Sequence, residues 1–408
     1  MKTFSDKRQS LVSLDFLNLF LLNIHLGVRP YLVVYLSSVL FWDAVQIGYV
    51  MGITGIIGIV AQAPAGALMD LTVHKRKWIA LAALLIGCCS LATVWFSSFW
   101  SITTFQSIST SAGALFAPGL AALSLGIVGR KGMDERIGRN QTFTALGNIL
   151  LAVLIGVCAH FYGPSWIYYL VAGMSVIASL SCLSIREKDI NHRLASGKEE
   201  TRDFHQENNS SLFHRTTVVF LLSIVFFHFA NAAMLPMLGQ LLSRSSPLHA
   251  SAYLSACIIV AQLVTVSLGV WVGRLSSRFP RRSLFLVAFV LLPIRGVLYT
   301  LYHDPFYLIS IQVLDALCGT FSGVMQVMIA ADITKGTGKF NLMQGIVATA
   351  LGTGTALSHF LSGYLIQYIG FEKGFLVLSL LAVFALLFFY FAMPETKPHH
   401  PDNSLTTL

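Results

Sequence analysis

The chain has 408 residues, of which 55% are hydrophobic and only 11% charged, whereas about 25% charged residues are usual in a soluble protein. A soluble globular fold is therefore excluded, as are the collagen, coiled-coil, disordered and small disulfide-scaffold classes. The net charge of +9 raises nucleic acid as a partner, and the placement of the basic residues dismisses it.

Each helical span of a bilayer needs roughly 20 mostly apolar residues. Charged and Pro/Gly-rich breaks divide the sequence into twelve such segments, near 13–39, 46–69, 78–97, 101–128, 141–161, 165–184, 216–242, 251–272, 283–302, 306–330, 342–369 and 374–393. The opening MKTFSDKRQS leads straight into a stretch longer than the apolar core of a signal peptide, so the first span is expected to stay as an anchor. Between the sixth and seventh spans lies a stretch holding 12 of the 45 charges. These features predict an all-α polytopic membrane protein of two six-helix halves, 1–184 and 216–393, joined by a linker at 185–215 and followed by a tail at 394–408. The six cysteines, Cys88, Cys89, Cys158, Cys182, Cys257 and Cys318, lie in apolar stretches without metal-ligand or disulfide spacing and are expected to be small buried hydrophobes.

Short loops rich in Lys and Arg stay on the cytoplasmic side. With the N-terminus inside, 23 of the 27 basic residues fall in inner segments, only Arg244 and Lys373 in outer loops, and Arg29 and Arg295 within spans. Both termini are therefore expected in the cytoplasm. The positive surplus is a topology signal, since a nucleic-acid footprint would gather its basic residues on one soluble face. The halves also repeat. Pro30 corresponds to Pro236 and Gln106 to Gln312 at an offset of 206, Gly66 to Gly269 at 203, and Gly147 and Gly156 to Gly354 and Gly363 at 207. Such a repeat is the pattern of parallel-related transporter halves.

The loop after span 2 resembles the signature loop of the major facilitator superfamily, Gly-x-Leu-x-Asp followed by a basic cluster. Gly66, Leu68 and Asp70 match, and Lys75, Arg76 and Lys77 follow, while Leu71 replaces the usual Arg and Val73 the usual Gly. The runs FFHFANAAMLP in span 7 and ADITKGTGKFNLMQG after span 10 resemble poorly characterised bacterial permeases of that superfamily. The resemblance implies that spans 1, 4, 7 and 10 line a central cavity. It also implies a gate at Gly66, Asp70, Lys75 and Arg76, whose acid holds the halves together when the protein faces outward. Proton-antiport drug exporters of the superfamily carry Arg-x-x-x-Gly in span 4; here Gly113 is present with Ser109 in place of the Arg. At the repeat-related place in span 10, Asp315 stands four residues before Gly319. Span 5 keeps the exporters' glycine spacing at Gly147 and Gly156, but Val157 replaces their proline.

A charge inside the bilayer costs at least about 2.5 to 3.5 kcal/mol on insertion scales, so each one is a functional candidate. Asp315, Arg29 and Arg295 are those charges, with His25, His228 and His359 as titratable neighbours and Asn23 and Asn231 as polar ones. Asn23, His25, Arg29, Asn231 and Asp315 are the candidates for the substrate cavity. Depth along the helices lets Asp315 and Arg295 meet across the hairpin of spans 9 and 10. They form either an anchoring ion pair or a proton-coupling pair whose protonation switches the pairing. His228 and His25 read as hydrogen-bonded helix contacts or as proton carriers. Arg29, just before Pro30, would either hold a substrate carboxylate or phosphate bidentately or snorkel to headgroups.

The expected function is a secondary transporter working by alternating access in a bacterial inner membrane. It would exchange protons for an exported drug-like compound or an anionic metabolite such as a carboxylate siderophore; proton-symport import of an organic acid is the alternative. The expected partners are a small-molecule substrate, protons and the lipid bilayer, with no nucleic acid, cofactor or metal and a monomeric state. A sensor or enzyme is the distant alternative, and no paired carboxylates, HExxH or Ser/His/Asp grouping favours an enzyme.

Overall fold

The computed structural model describes residues 7–129, 133–195, 214–245, 249–334 and 340–396. Among them every regular element is a helix. Ten stretches are long and apolar enough to cross a membrane. One of these, Leu342–Ala392, turns at Gly370, whose φ of 84° suits a residue without Cβ, and so supplies two spans. Arg281–Leu298 completes the set of twelve.

Span 1 consists of Arg8–Phe20, a π-turn at Asn23–Gly27 and Arg29–Ser38. Spans 2 and 3 are Ala44–Leu71 and Lys75–Trp95. Span 4 is Phe99–Gly113 with Phe116–Val128, span 5 Met133–Tyr162 and span 6 Trp166–Leu183. Span 7 is Arg215–Asn231 with Met234–Ser245, span 8 Ala250–Arg278 and span 9 Arg281–Leu298. Span 10 is Pro305–Ser310 with Gln312–Ile333, and spans 11 and 12 are 340–369 and 371–392. These coincide with the segments expected from hydropathy. The main departures are the start of span 5, at Met133 rather than 141, and the end of span 8, at Arg278 rather than 272. Both helices run on past the apolar stretch into a basic segment, where hydropathy alone marks no helix.

Spans 1, 4, 7 and 10 are the interrupted ones, and proline accounts for three of the four. A proline ring clashes with the carbonyl four residues before it and donates no hydrogen bond. Pro118 lies four residues after Ala114, where span 4 breaks, and Pro236 four after Ala232, where span 7 breaks. Pro30 lies four after Leu26, inside the π-turn of span 1. Span 10 breaks at Ile311 without a proline. At the end opposite the basic loops, spans 2, 4 and 10 start on side-chain caps: Asp43 accepts from Gln46 N (2.7 Å), Ser98 from Ser101 N (3.2 Å) and Asp304 from Tyr307 N (3.0 Å).

That same end is sealed. A Cβ on Gly48 of span 2 would lie 2.8 Å from the His359 carbonyl and 3.0 Å from Gly363 Cα of span 11, so only glycine allows this approach. The ladder continues inward as Gly52 against Phe360, Gly55 against Ala356 and Ile59 against Gly352. The Tyr49 and Tyr364 hydroxyls are hydrogen-bonded across it. Ser37 meets Ser243 at 2.6 Å, and Tyr31 meets Ser255 at 2.8 Å. The imidazoles of His160 (span 5) and His249 (beside span 8) stack with 3.2 Å between their Nδ1 atoms. Helical spacing carries the ladder of spans 2 and 11 on to Gly66 and Gly345, two turns beyond its last rung. A Cβ at either would meet nothing within 4 Å. Among the described residues, spans 2 and 11 therefore lie apart at these two positions, at the end that carries the basic loops.

One expectation is corrected. Cys89, Cys182, Cys257 and Cys318 are buried, but Cys88 is exposed on span 3 and Cys158 half-buried on span 5. An apolar neighbourhood in sequence does not distinguish a lipid-facing cysteine from a core one.

Candidate functional site

Arg295 sits in the last turn of span 9, almost wholly buried. One guanidinium nitrogen donates to Asp315 on span 10, and the other donates to Asn231 Oδ1 on span 7 and lies 3.1 Å from Met234 Sδ. Its Cζ stands 5.9 Å from the ring centre of Tyr299, whose hydroxyl accepts from Gln312 Nε2 at 3.0 Å. Asn231 and Met234 flank the break of span 7, and Asp315 lies one turn past the break of span 10. The two interruptions thus bring three spans onto one cation. A Cβ on the next residue, Gly296, would fall 2.1 Å from Ser379 Oγ, so span 12 closes the back of the cluster.

In front of it lies a cavity of about 240 Å³ between spans 1, 5, 7, 8 and 10, somewhat smaller than the roughly 300–1,000 Å³ usual for small-molecule sites. Its polar lining comes from Asn23, Thr144, Asn148, Gln262, Gln312 and Asp315. Of the buried pair, only the carboxylate reaches this cavity. Asn23 Nδ2 also donates to Leu19 O (2.7 Å) and Thr144 O (3.2 Å), fastening span 1 to span 5. A larger recess, about 370 Å³, lies against His74, Lys77, Trp78 and Leu81. It is a groove on the outside of span 3, remote from the intramembrane charges.

Arg29 turns toward span 4, where it donates to Thr110 Oγ1 at 3.4 Å. No carboxylate pairs with it among the described residues, and it lies within electrostatic reach of His25 and of His359 on span 11. His25 packs its ring against Gly113 and the edge of Phe116. His228 is apart from the Arg295 cluster, its Nε2 lying 3.3 Å from Gln326 Nε2, which donates to Ser322 Oγ at 2.7 Å. The intramembrane candidates therefore fall into three groups: Arg295, Asp315 and Asn231; Arg29 and His25; and His228 with Gln326.

At the basic end, Lys75 is buried and its Nζ donates to Thr72 O at 2.8 Å. Arg76 donates to the carbonyls of Leu183 and Ile185 and pairs with Glu187 at 2.7 Å, tying the start of span 3 to the end of span 6. Arg76 beside it holds the Glu187 carboxyl below its usual range. The chain repeats this arrangement: Arg282, 206 residues after Arg76, donates to the Tyr390 carbonyl at the end of span 12, and Glu395 accepts from the backbone of Arg281 and Arg282. Gly66 has open space around it, and the Asp70 side chain lies outside the described residues.

Asp15 escaped the sequence reading. It is buried on span 1 and pairs with Arg136 (2.7 Å) and Arg139 (2.6 Å) of span 5. Arg136 continues to Asn140, which also accepts from Asn18 and donates to Ser124 on span 4. The available signal was an acid inside the first apolar segment; its position near the basic end disguised it as a loop charge.

Twelve spans, four of them interrupted, with a few charges buried among them and a cavity that one of these, Asp315, reaches, define a secondary transporter rather than an enzyme. The Major Facilitator Superfamily family model matches residues 13–292 and 263–407, and the chain belongs to that superfamily. It is 38% identical over 388 residues to an uncharacterized MFS-type transporter of Mycobacterium tuberculosis, covering 94% of this chain and 93% of the relative. The crystal structure of the nucleoside transporter NupG superposes with a TM-score of 0.76 at 16% identity over 93% of this chain and 98% of that one. A bacterial homologue of the human lysosomal transporter Spinster superposes with a TM-score of 0.72 at 13% identity over 96% and 97%. At those identities the structures speak for the fold alone.

Proposed function

We propose that this transporter drives a small organic solute out of the cell in exchange for protons, with Asp315 as the coupling carboxylate and Arg295 as its fixed counter-charge. The observation that carries this reading is the unequal access of the pair: the Asp315 side chain is 29% exposed and that of Arg295 only 2%. A proton arriving through the cavity reaches the acid and not the base. When Asp315 is ionised, the pair locks span 10 to span 9 and, through Asn231, to span 7. Protonation removes one charge, releases the carboxylate and leaves Arg295 on Asn231 and Met234. The released contact lies beside the breaks of spans 7 and 10, the points at which those helices can re-angle.

In this reading the halves 1–184 and 216–393 rock about the central cavity, with the 185–215 linker, both termini and the 394–408 tail in the cytoplasm of an inner-membrane monomer. Gly66, Asp70, Lys75 and Arg76 form the cytoplasmic gate when spans 2 and 11 close there. The state open at the basic end, with the Arg295–Asp315 pair intact, is the one that would release protons to the cytoplasm and load cargo.

The direction is tested by comparing intracellular and extracellular metabolites in a deletion strain and an overproducer. Export predicts that one compound accumulates inside the deletion strain and outside the overproducer. Failure of the deletion strain to take up a supplied organic acid would establish the importing rival.

A further inference from the structure

Arg29 is the second intramembrane cation, and its surroundings are unlike those of Arg295. Arg295 has a carboxylate, an amide oxygen and an aromatic face around it. Among the described residues, Arg29 has one long hydrogen bond, to Thr110, and two imidazoles within electrostatic reach. A guanidinium offers five N–H donors in a planar fork suited to a carboxylate or phosphate, and here the fork is left almost wholly unused. An uncompensated charge at this depth costs several kcal/mol. A structural arginine would be expected to have its partner, as Arg295 and Arg136 do.

The site is also composed from both halves. Arg29 and His25 come from span 1, Thr110 from span 4, and His359, within electrostatic reach of Arg29, from span 11. An anion held there would touch elements on either side of the ladder that seals the outer end.

We infer that Arg29, Thr110, His25 and His359 form an anion subsite that receives the carboxylate or phosphate group of the cargo. The inference rests on the transport reading and deepens it: the cargo is an organic oxyanion, and a lipophilic cation is disfavoured. The subsite is separate from the coupling pair. Arg29 binds the anion while Asp315 handles the proton, so binding and coupling fail independently.

The test is equilibrium binding to the purified full-length protein in detergent, read as the shift of the thermal unfolding midpoint with added ligand. The probes are sodium phosphate, sodium citrate and tetraphenylphosphonium, with sodium chloride at matched ionic strength. Phosphate or citrate should give a saturable shift beyond that of chloride. Arg29→Gln should weaken that binding about tenfold or more, as expected for loss of charge-assisted hydrogen bonds. Arg29→Lys, keeping the charge without the fork, should weaken it less. Thr110→Val, which leaves the cation in place, should weaken it a few-fold and serves if the Arg29 variants do not fold. This equilibrium binding needs no proton gradient, which separates the inference from the coupling reading, and Glu187→Gln, at the basic end and outside both sites, should bind the anion as the wild type does. No saturable oxyanion shift, an unchanged affinity in Arg29→Gln, or tighter binding of tetraphenylphosphonium than of either oxyanion would overturn it.

Discussion

Arg295 and Asp315 meet across the hairpin of spans 9 and 10 with the base sealed in the core and the acid turned to the cavity. A buried pair can be an anchor, a switch or both, and replacement of one partner differs from replacement of both. Removing Asp315 alone leaves a buried cation with Asn231 and Met234, a loss of roughly 1–3 kcal/mol for a pair whose acid is partly exposed. Replacing both partners with apolar side chains removes the uncompensated charge. Arg295→Met with Asp315→Leu should therefore recover most of the thermal stability lost by Asp315→Leu alone, yet show no transport. A transporting double variant would reduce the pair to an anchor.

Asp15 is held by two arginines at the basic end of span 5, one buried with it and one mostly exposed. Asp15→Asn leaves Arg136 buried without its counter-charge, a cost of about 3–5 kcal/mol. The unfolding midpoint should fall markedly. Adding Arg136→Met should restore a large part of it, whereas Arg139→Ala, which removes an exposed partner, should cost under about 1 kcal/mol. Equal effects of Arg136→Met and Arg139→Ala in the wild-type background would show that burial does not govern this cluster.

The ladder of spans 2 and 11 gives predictions of opposite sign at its two ends. Gly48→Leu or Gly363→Leu inserts a side chain where a Cβ already collides with backbone and should open the outer seal. Gly66→Leu or Gly345→Leu meets empty space in this state and should hinder closure of the basic end. Spin labels at Phe41→Cys and Tyr368→Cys, both highly exposed near the sealed end, report the first distance. Labels at Leu71→Cys and Leu342→Cys report the second. The first pair of variants should lengthen the 41–368 distance, and the second should abolish the short population at 71–342.

The exposed Arg76–Glu187 pair yields a pH prediction. Because the folded protein holds the Glu187 carboxyl below its ordinary range, its contribution is present above the unfolded-state value and fades as pH falls through the lower folded-state value. The difference in unfolding midpoint between wild type and Glu187→Gln should be small at neutral pH and vanish in acid. A difference that grows on acidification would contradict the assignment.

Much of the fold was legible because lipid imposes one rule on every span, so that runs of about 20 apolar residues and the basic loops located the helices. The interruptions were half legible: Pro30, Pro118 and Pro236 announce theirs, while Ile311 carries no comparable mark. The meeting of Arg295 and Asp315 followed from equal depth on adjacent spans. Asn231 as their third partner did not, since it depends on how span 7 re-angles after its break. Asp15 was missed because its partners lie about 120 residues away on span 5, and sequence spacing is blind to such a pairing. Cys88 was misread because lipid-facing and core-facing sides of a span are equally apolar.

The central claim is that Asp315 carries the coupling proton, and gradient-driven flux in reconstituted vesicles tests it most directly. With the cargo identified from the metabolite comparison, an imposed pH gradient should drive its accumulation by wild type. Asp315→Asn should fold, bind the cargo and exchange it down its own gradient, but no longer respond to pH. Undiminished pH-driven accumulation by Asp315→Asn would contradict the claim.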